Sequence, residues 1–140
     1  MARLAEAPRR STGLTMLCLA AAAWSLVLPL HAFTLAWTHS IEKIRWEEDY
    51  RVEGGLLHLT EARIRGTGAG MEVPEGAVLR NGVWHYRPAV GAVESLRLTR
   101  SPYTADYELC WDGACRPMHV MAGPVEETPL VEVFSCAARR

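Results

Sequence analysis

The sequence predicts an all-β protein, a single small antiparallel β-sandwich or barrel of about eight strands behind an N-terminal signal or anchor segment. Three observations carry this. Short apolar runs with strand-like alternation recur at roughly 8–12 residue intervals, separated by turn residues. Three dipeptides, Gly54-Gly55, Asn81-Gly82 and Asp112-Gly113, sit between such runs and supply the positive φ angles of two-residue hairpin turns. Beyond Ala32 no segment repeats apolar residues every 3.6 positions for three turns. With 140 residues, the chain has the length of one domain.

The N-terminus reads as an export signal. Arg3, Arg9 and Arg10 stand against one acid, Glu6, and the 17 residues from Leu14 to Leu30 carry no charge. Ala32 places a small residue where a signal peptidase cuts. This assigns residues 1–32 to a Sec-type signal peptide and residues 33–140 to an exported, periplasmic or otherwise extracytoplasmic β-domain. The rival reading is a retained membrane anchor. As a helix the apolar segment is about 25 Å long against a hydrocarbon core of about 30 Å, and Pro29 suits a processing site better than a straight span. Ser11 and Thr12 after Arg9-Arg10 disfavour a twin-arginine signal, and Cys18 lacks the small residues of a lipidation box.

The elements follow in order. Phe33, Leu35 and Trp37 alternate with Thr34, Ala36 and Thr38 as a first strand. Ser40 to Asp49 offers one helical turn at most, with Ser40 as N-cap, because Trp46 and Tyr50 fit a strand equally well. Trp46–Glu53 and Leu56–Ile64 form a hairpin about Gly54-Gly55. A glycine-rich loop spans Arg65–Ala77. A second hairpin turns at Asn81-Gly82 and a third at Asp112-Gly113. Between them Val93, Leu96 and Leu98 mark a further strand, and "PLVEVFS" supplies the last one.

Charge and cysteines narrow the function classes. Net charge is −1 overall and −3 for the 108 residues from Phe33 on, so no basic field invites nucleic acid or anionic lipid. In the third hairpin Cys110 faces Cys115 across the strands, where Cα atoms approach closely enough for a disulfide. An oxidising compartment favours that bridge over the metal alternative, a C-x4-C pair with His119 and distant Cys136. Cys136 is left over, either free and buried or displacing one hairpin cysteine.

Candidate chemistry is sparse. His39 and Ser40, with Glu42 near, offer a base, a nucleophile and an acid, but adjacent strand residues face opposite sides and cannot meet. Glu42, Glu47, Glu48, Asp49 and Glu61 are dense carboxylates, and Lys43, Arg45, Arg63 and Arg65 are at hand to pair with them on a solvated face. No calcium loop pattern is present. "GTGAG" (Gly66–Gly70) resembles part of a phosphate cradle, but Pro74 and Gly76 stop the helix such a cradle needs. Preceded by Arg65, it offers backbone N–H groups to a carboxylate ligand or a partner strand. Trp37, Trp46, Trp84 and Trp111 are expected in the core, each finding an N–H partner at its edge; a ligand-facing aromatic platform is the alternative.

The succession "FTLAWTHSIEKIRWEEDYRV" and "GGLLHLTEARIRGTGAGM", with a closing "VEVFSC", resembles the small exported proteins of unknown function often encoded beside TRAP transporters of the TAXI type. The match covers Phe33 to Met71 closely and the rest loosely. The resemblance implies a non-enzymatic exported accessory protein of a solute-uptake system. It would bind the TAXI solute-binding protein, the TRAP permease or the solute, with no cofactor and no metal. By matching position it singles out His39, Ser40, Glu42, Glu47, Tyr50, Gly68, Ala69, Gly70 and Met71; the resemblance assigns them no role, and our hypothesis is that, with Arg65 beside them, they contact a ligand or partner. The alternative is a stand-alone periplasmic module for a small ligand or metal.

Overall fold

The computed structural model describes residues 15–39, 43–66, 74–89 and 91–139. Its strands are β1 (Leu17–Ala20), β2 (Ser25–Leu28), β3 (Ala32–Thr38), β4 (Arg45–Glu53), β5 (Leu56–Arg65), β6 (Val78–Arg80), β7 (Val83–Tyr86), β8 (Ala92–Val93), β9 (Ser95–Thr99), β10 (Glu108–Trp111), β11 (Ala114–Pro117) and β12 (Leu130–Ser135). One short helix, α1 (Met118–Ala122), follows β11, and a single 3-10 turn, Cys136–Ala138, follows β12. The strands form two antiparallel sheets. The smaller has the order β2-β1-β12-β9; the larger runs β11-β10-β3-β4-β5-β7-β6, with β8 added beside β5. Both sheets are open, so the fold is a sandwich rather than a closed barrel.

All three expected hairpins form. Cys110 pairs with Cys115 and Trp111 with Ala114 around Asp112-Gly113, and Arg80 pairs with Val83 around Asn81-Gly82. Glu53 pairs with Leu56 about Gly54 and Gly55, whose φ values of 63° and 80° are strained for any residue with a Cβ. The strand count exceeds the expected eight chiefly because the short pieces β1, β2 and β8 join the sheets.

The core lies between the sheets. Leu17, Leu19, Leu98, Val131 and Val133 enter it from the small sheet; Phe33, Leu35, Tyr50, Val52, Leu57 and Leu109 enter from the large one. Met118 and Ala122 of α1 close one side. Each fully buried Leu or Val contributes about 1.5–3 kcal/mol through removal of its surface from water.

The small sheet includes part of the N-terminal segment. Part of the segment expected as a signal or anchor core forms the β1–β2 hairpin. β1 pairs along its whole length with β12, Leu17 opposite Ser135 and Ala20 opposite Glu132. Leu17 and Leu19 have no exposed surface. An uncharged run cannot by itself separate a buried strand from a signal core; here the alternation of Leu17 and Leu19 with Cys18 and Ala20 is the strand period. Cys136 is neither free nor a rival for the hairpin cysteines. It is bonded to Cys18, 118 residues away, while Cys110 is bonded to Cys115. No helix among the described residues is long and apolar enough to cross a membrane.

One irregularity positions the site. Between Asp49 and Tyr50 the register of β4 against β5 shifts: Asp49 pairs with Glu61, but Tyr50 with Leu59. Thr60 is therefore the extra residue of a β-bulge, and its Oγ1 donates to the carbonyl of Asp49 at 3.2 Å. Because of the bulge, Leu57 and Leu59 before it and Ala62 and Ile64 after it face the same side. Glu61, Arg63 and Arg65 all face the other.

Candidate functional site

The outer face of the large sheet carries an ion-pair network. Strand alternation in β4 sends Tyr50 and Val52 inward and Arg45, Glu47 and Asp49 outward. Thr34 of β3, Glu61, Arg63 and Arg65 of β5, His85 of β7 and Glu108 of β10 share that outer face. Arg45 sits opposite Arg65, and Glu47 lies between Ala36 and Arg63 in the ladder.

Glu47 is the hub and is buried, with 8% of its surface exposed. Arg45 Nε donates to its Oε2 at 2.8 Å and Arg63 Nε to its Oε1 at 2.9 Å, while Arg65 Nε lies 3.1 Å from Oε2. Burial would raise the Glu47 carboxyl, but the hydrogen bonds from Arg45, Arg65 and Arg63 outweigh it and hold the pKa at about 2. Arg63 also grips Asp49 through two bonds of 2.6 and 2.7 Å and reaches Glu61 at 2.7 Å. Burial likewise opposes ionisation of Asp49, and bonds from Arg63 and Thr34 Oγ1, the latter 2.7 Å long, overcome it. Bonding to Asp49 above all raises the Arg63 guanidinium further, against burial. Arg45 Nη1 holds Glu108 at 2.8 Å, and His85 Nδ1 lies 3.4 Å from Glu61.

Beside this network lies a groove of about 650 Å³, walled by Glu47, Asp49 and Arg63 on one flank and the Cys110–Cys115 hairpin on the other. Arg51 and Arg65 both line it, and each side chain is about half exposed, at 49%. Six β4 positions separate their levels in the ladder, Arg45 opposite Arg65 and Arg51 opposite His58, a span of about 20 Å. Arg65 gives its Nε to Glu47, and its half-exposed side chain lines the groove. Arg51 is tied weakly to Glu53 at 3.3 Å. Glu47 and Asp49 are held ionised and fully engaged by the arginines, which suits them to positioning charge.

The residues singled out in the sequence separate into four groups. Glu47 and Arg65 meet on the outer face. Tyr50 lies on the opposite, core face, stacked on Phe33 with ring centroids 5.3 Å apart, and its hydroxyl donates to Glu48 at 2.7 Å. Burial and that bond raise its pKa. His39 sits past the end of β3, its ring 6.3 Å from that of Trp46, and its backbone pairs with Ile44 and Lys43. Ser40, Glu42, Gly68, Ala69, Gly70 and Met71 lie outside the described residues. Tyr50 and Glu47 therefore do not share one contact surface, because an odd separation along a strand sends them to opposite faces.

One further expectation is corrected, and the metal alternative to the hairpin disulfide is set aside. The indole nitrogens of Trp46 and Trp84 are buried without a hydrogen-bond partner among the described residues, although each was expected to find one. The metal alternative built on His119 and Cys136 also fails geometrically: His119 lies 3.9 Å from Asp106, and Cys136 is held by Cys18. Glu108, Cys110 and Cys115 do bring donor atoms within 4.8 Å of one another, but both sulfurs are bonded to each other.

The chain belongs to a family defined by the domain of unknown function DUF1850, whose model matches residues 33–118. No curated protein and no solved structure matches it. The matched region contains β3 to β11, and with them the whole ion-pair network and both walls of the groove.

Proposed function

We propose that this is a non-enzymatic, extracytoplasmic accessory protein of a TAXI-type TRAP solute-uptake system. Its groove along β4 would bind an extended acidic segment of the solute-binding protein or permease. The single observation that carries the reading is the pair of half-exposed guanidiniums, Arg51 and Arg65, set about 20 Å apart along the groove. Between them every outward charge on β4 is already paired. An anionic partner meets half-exposed guanidiniums at the ends and an ion-paired floor in the middle. The length favours an extended segment over a compact solute. The two disulfides support a location outside the cytoplasm, where such bonds persist.

The test is affinity capture from native membranes with the oxidised, full-length chain, followed by binding of acidic peptides from the captured partner. Arg65→Gln is expected to weaken binding at least tenfold, at a cost to folding stability of about 1 kcal/mol through its lost bond to Glu47. Recovery of no transporter component would sink the accessory role. A thermal shift produced by a small carboxylate, and abolished by the same substitution, would reassign the groove to a solute.

A further inference from the structure

We infer that the Cys110–Cys115 bridge is a thiol–disulfide exchange site, poised to be opened in the folded protein by an external dithiol, while Cys18–Cys136 is a static staple. The inference is independent of what the groove binds. It rests on placement, exposure and one charged neighbour.

The two cysteines are opposite each other in the β10–β11 ladder, so backbone pairing and the Asp112-Gly113 turn hold the hairpin whether or not the sulfurs are joined. Cys115 is exposed and Cys110 half-buried, which directs an incoming thiolate to the Cys115 sulfur. Arg45 Nη2 lies 3.6 Å from Cys115 Sγ and 4.0 Å from Cys110 Sγ. Its other two guanidinium nitrogens are committed, Nε to Glu47 and Nη1 to Glu108. Nη2 thus stands as an N–H donor beside whichever sulfur leaves, and a thiolate that is stabilised leaves faster. Cys18–Cys136, by contrast, has no guanidinium contact to its sulfurs among the described residues.

The exchange balances as two steps. A thiolate of the dithiol attacks Cys115 Sγ; the S–S bond breaks, a mixed disulfide forms, and Cys110 departs as a thiolate that accepts the Arg45 N–H. The second thiolate of the reductant then displaces Cys115, closing the reductant's own disulfide. Two electrons pass to the protein, which ends with two reduced cysteines, and the reductant is oxidised.

The full-length protein is titrated with dithiothreitol under native conditions, and the thiols are trapped by alkylation and located by mass. Cys110 and Cys115 should be trapped at least tenfold faster than Cys18 and Cys136, with circular dichroism unchanged. Arg45→Met should slow that first phase roughly fivefold by removing the donor, and Glu108→Gln should speed it by removing a competing carboxylate. Reduction of both bridges in one phase overturns the proposal, as does a Glu108→Gln rate that is unchanged or slower. The Glu108 variant decides the question even if Arg45→Met does not fold.

Discussion

The two sheets of the sandwich are built on different terms. The small sheet joins strands from far apart in the chain, β1 and β2 from one side and β9 and β12 from the other, and turns Leu17, Leu19, Val131 and Val133 into the core. The large sheet is mostly a meander of neighbours, β3 to β5 and then β7 and β6, and keeps a charged outer face. The first holds the molecule together and offers little chemistry. The second carries the chemistry and depends on the first to cover its apolar side. Stability and recognition should therefore respond to different substitutions.

The largest effect should come from removing the small sheet's first hairpin. A chain beginning at Phe33 loses β1 and β2, the partner of Cys136, and two fully buried leucines. It should show no cooperative thermal transition, whereas the full chain should. A cooperative melt of residues 33–140, or an exported form whose mass begins at Phe33, would break the comparison. Next comes the staple itself. Changing Cys18 and Cys136 together to Ser frees a loop of 118 residues, worth about 5 kcal/mol in chain entropy. Denaturant unfolding should reveal a loss well above that of the Cys110/Cys115 double Ser variant. That local bridge closes a separation of 5 residues and is worth about 2 kcal/mol.

The smallest of the three effects belongs to the charged face and is confined to acid. The Glu47 carboxyl is depressed from an ordinary 4.5 to about 2. Its contribution is therefore complete above pH 4.5 and is lost as pH falls toward 2, amounting to about 3 kcal/mol. Glu47→Gln should flatten the fall in stability across that window in urea titrations. An equally steep fall in the variant would show that the three arginines do not govern it.

The sequence makes the large sheet legible because its information is local. Each hairpin is announced by its own turn dipeptide, and the alternation of Phe33, Leu35 and Trp37 identifies the inward face. The pairing of Glu47 with Arg45, Arg63 and Arg65 follows from charge density on one face of adjacent strands. The small sheet is not legible in the same way. Pairing β1 with β12 joins Leu17 to Ser135, and nothing in the neighbourhood of either residue specifies the other. An uncharged stretch behind three arginines has the composition of an export signal, and only the partner strand shows that it lines a core. The site is legible in its charges, Glu47 and Arg65, and not in its grouping of Tyr50 with them. His39 is placed by its contact with Trp46, at the end of the sheet and away from the groove.

Thr60 gives β5 a change of phase. Leu57 and Leu59 occupy odd positions and Ala62 and Ile64 even ones, so a strand of unbroken pleat would drive Arg63 and Arg65 into the apolar layer or lift the leucines out of it. One additional residue lets the same strand finish the core at one end and, at the other, present the arginines that hold Glu47. The distance between the two tasks is thus measured in parity rather than in ångströms. Any variant of this chain that keeps both must keep an odd residue between them.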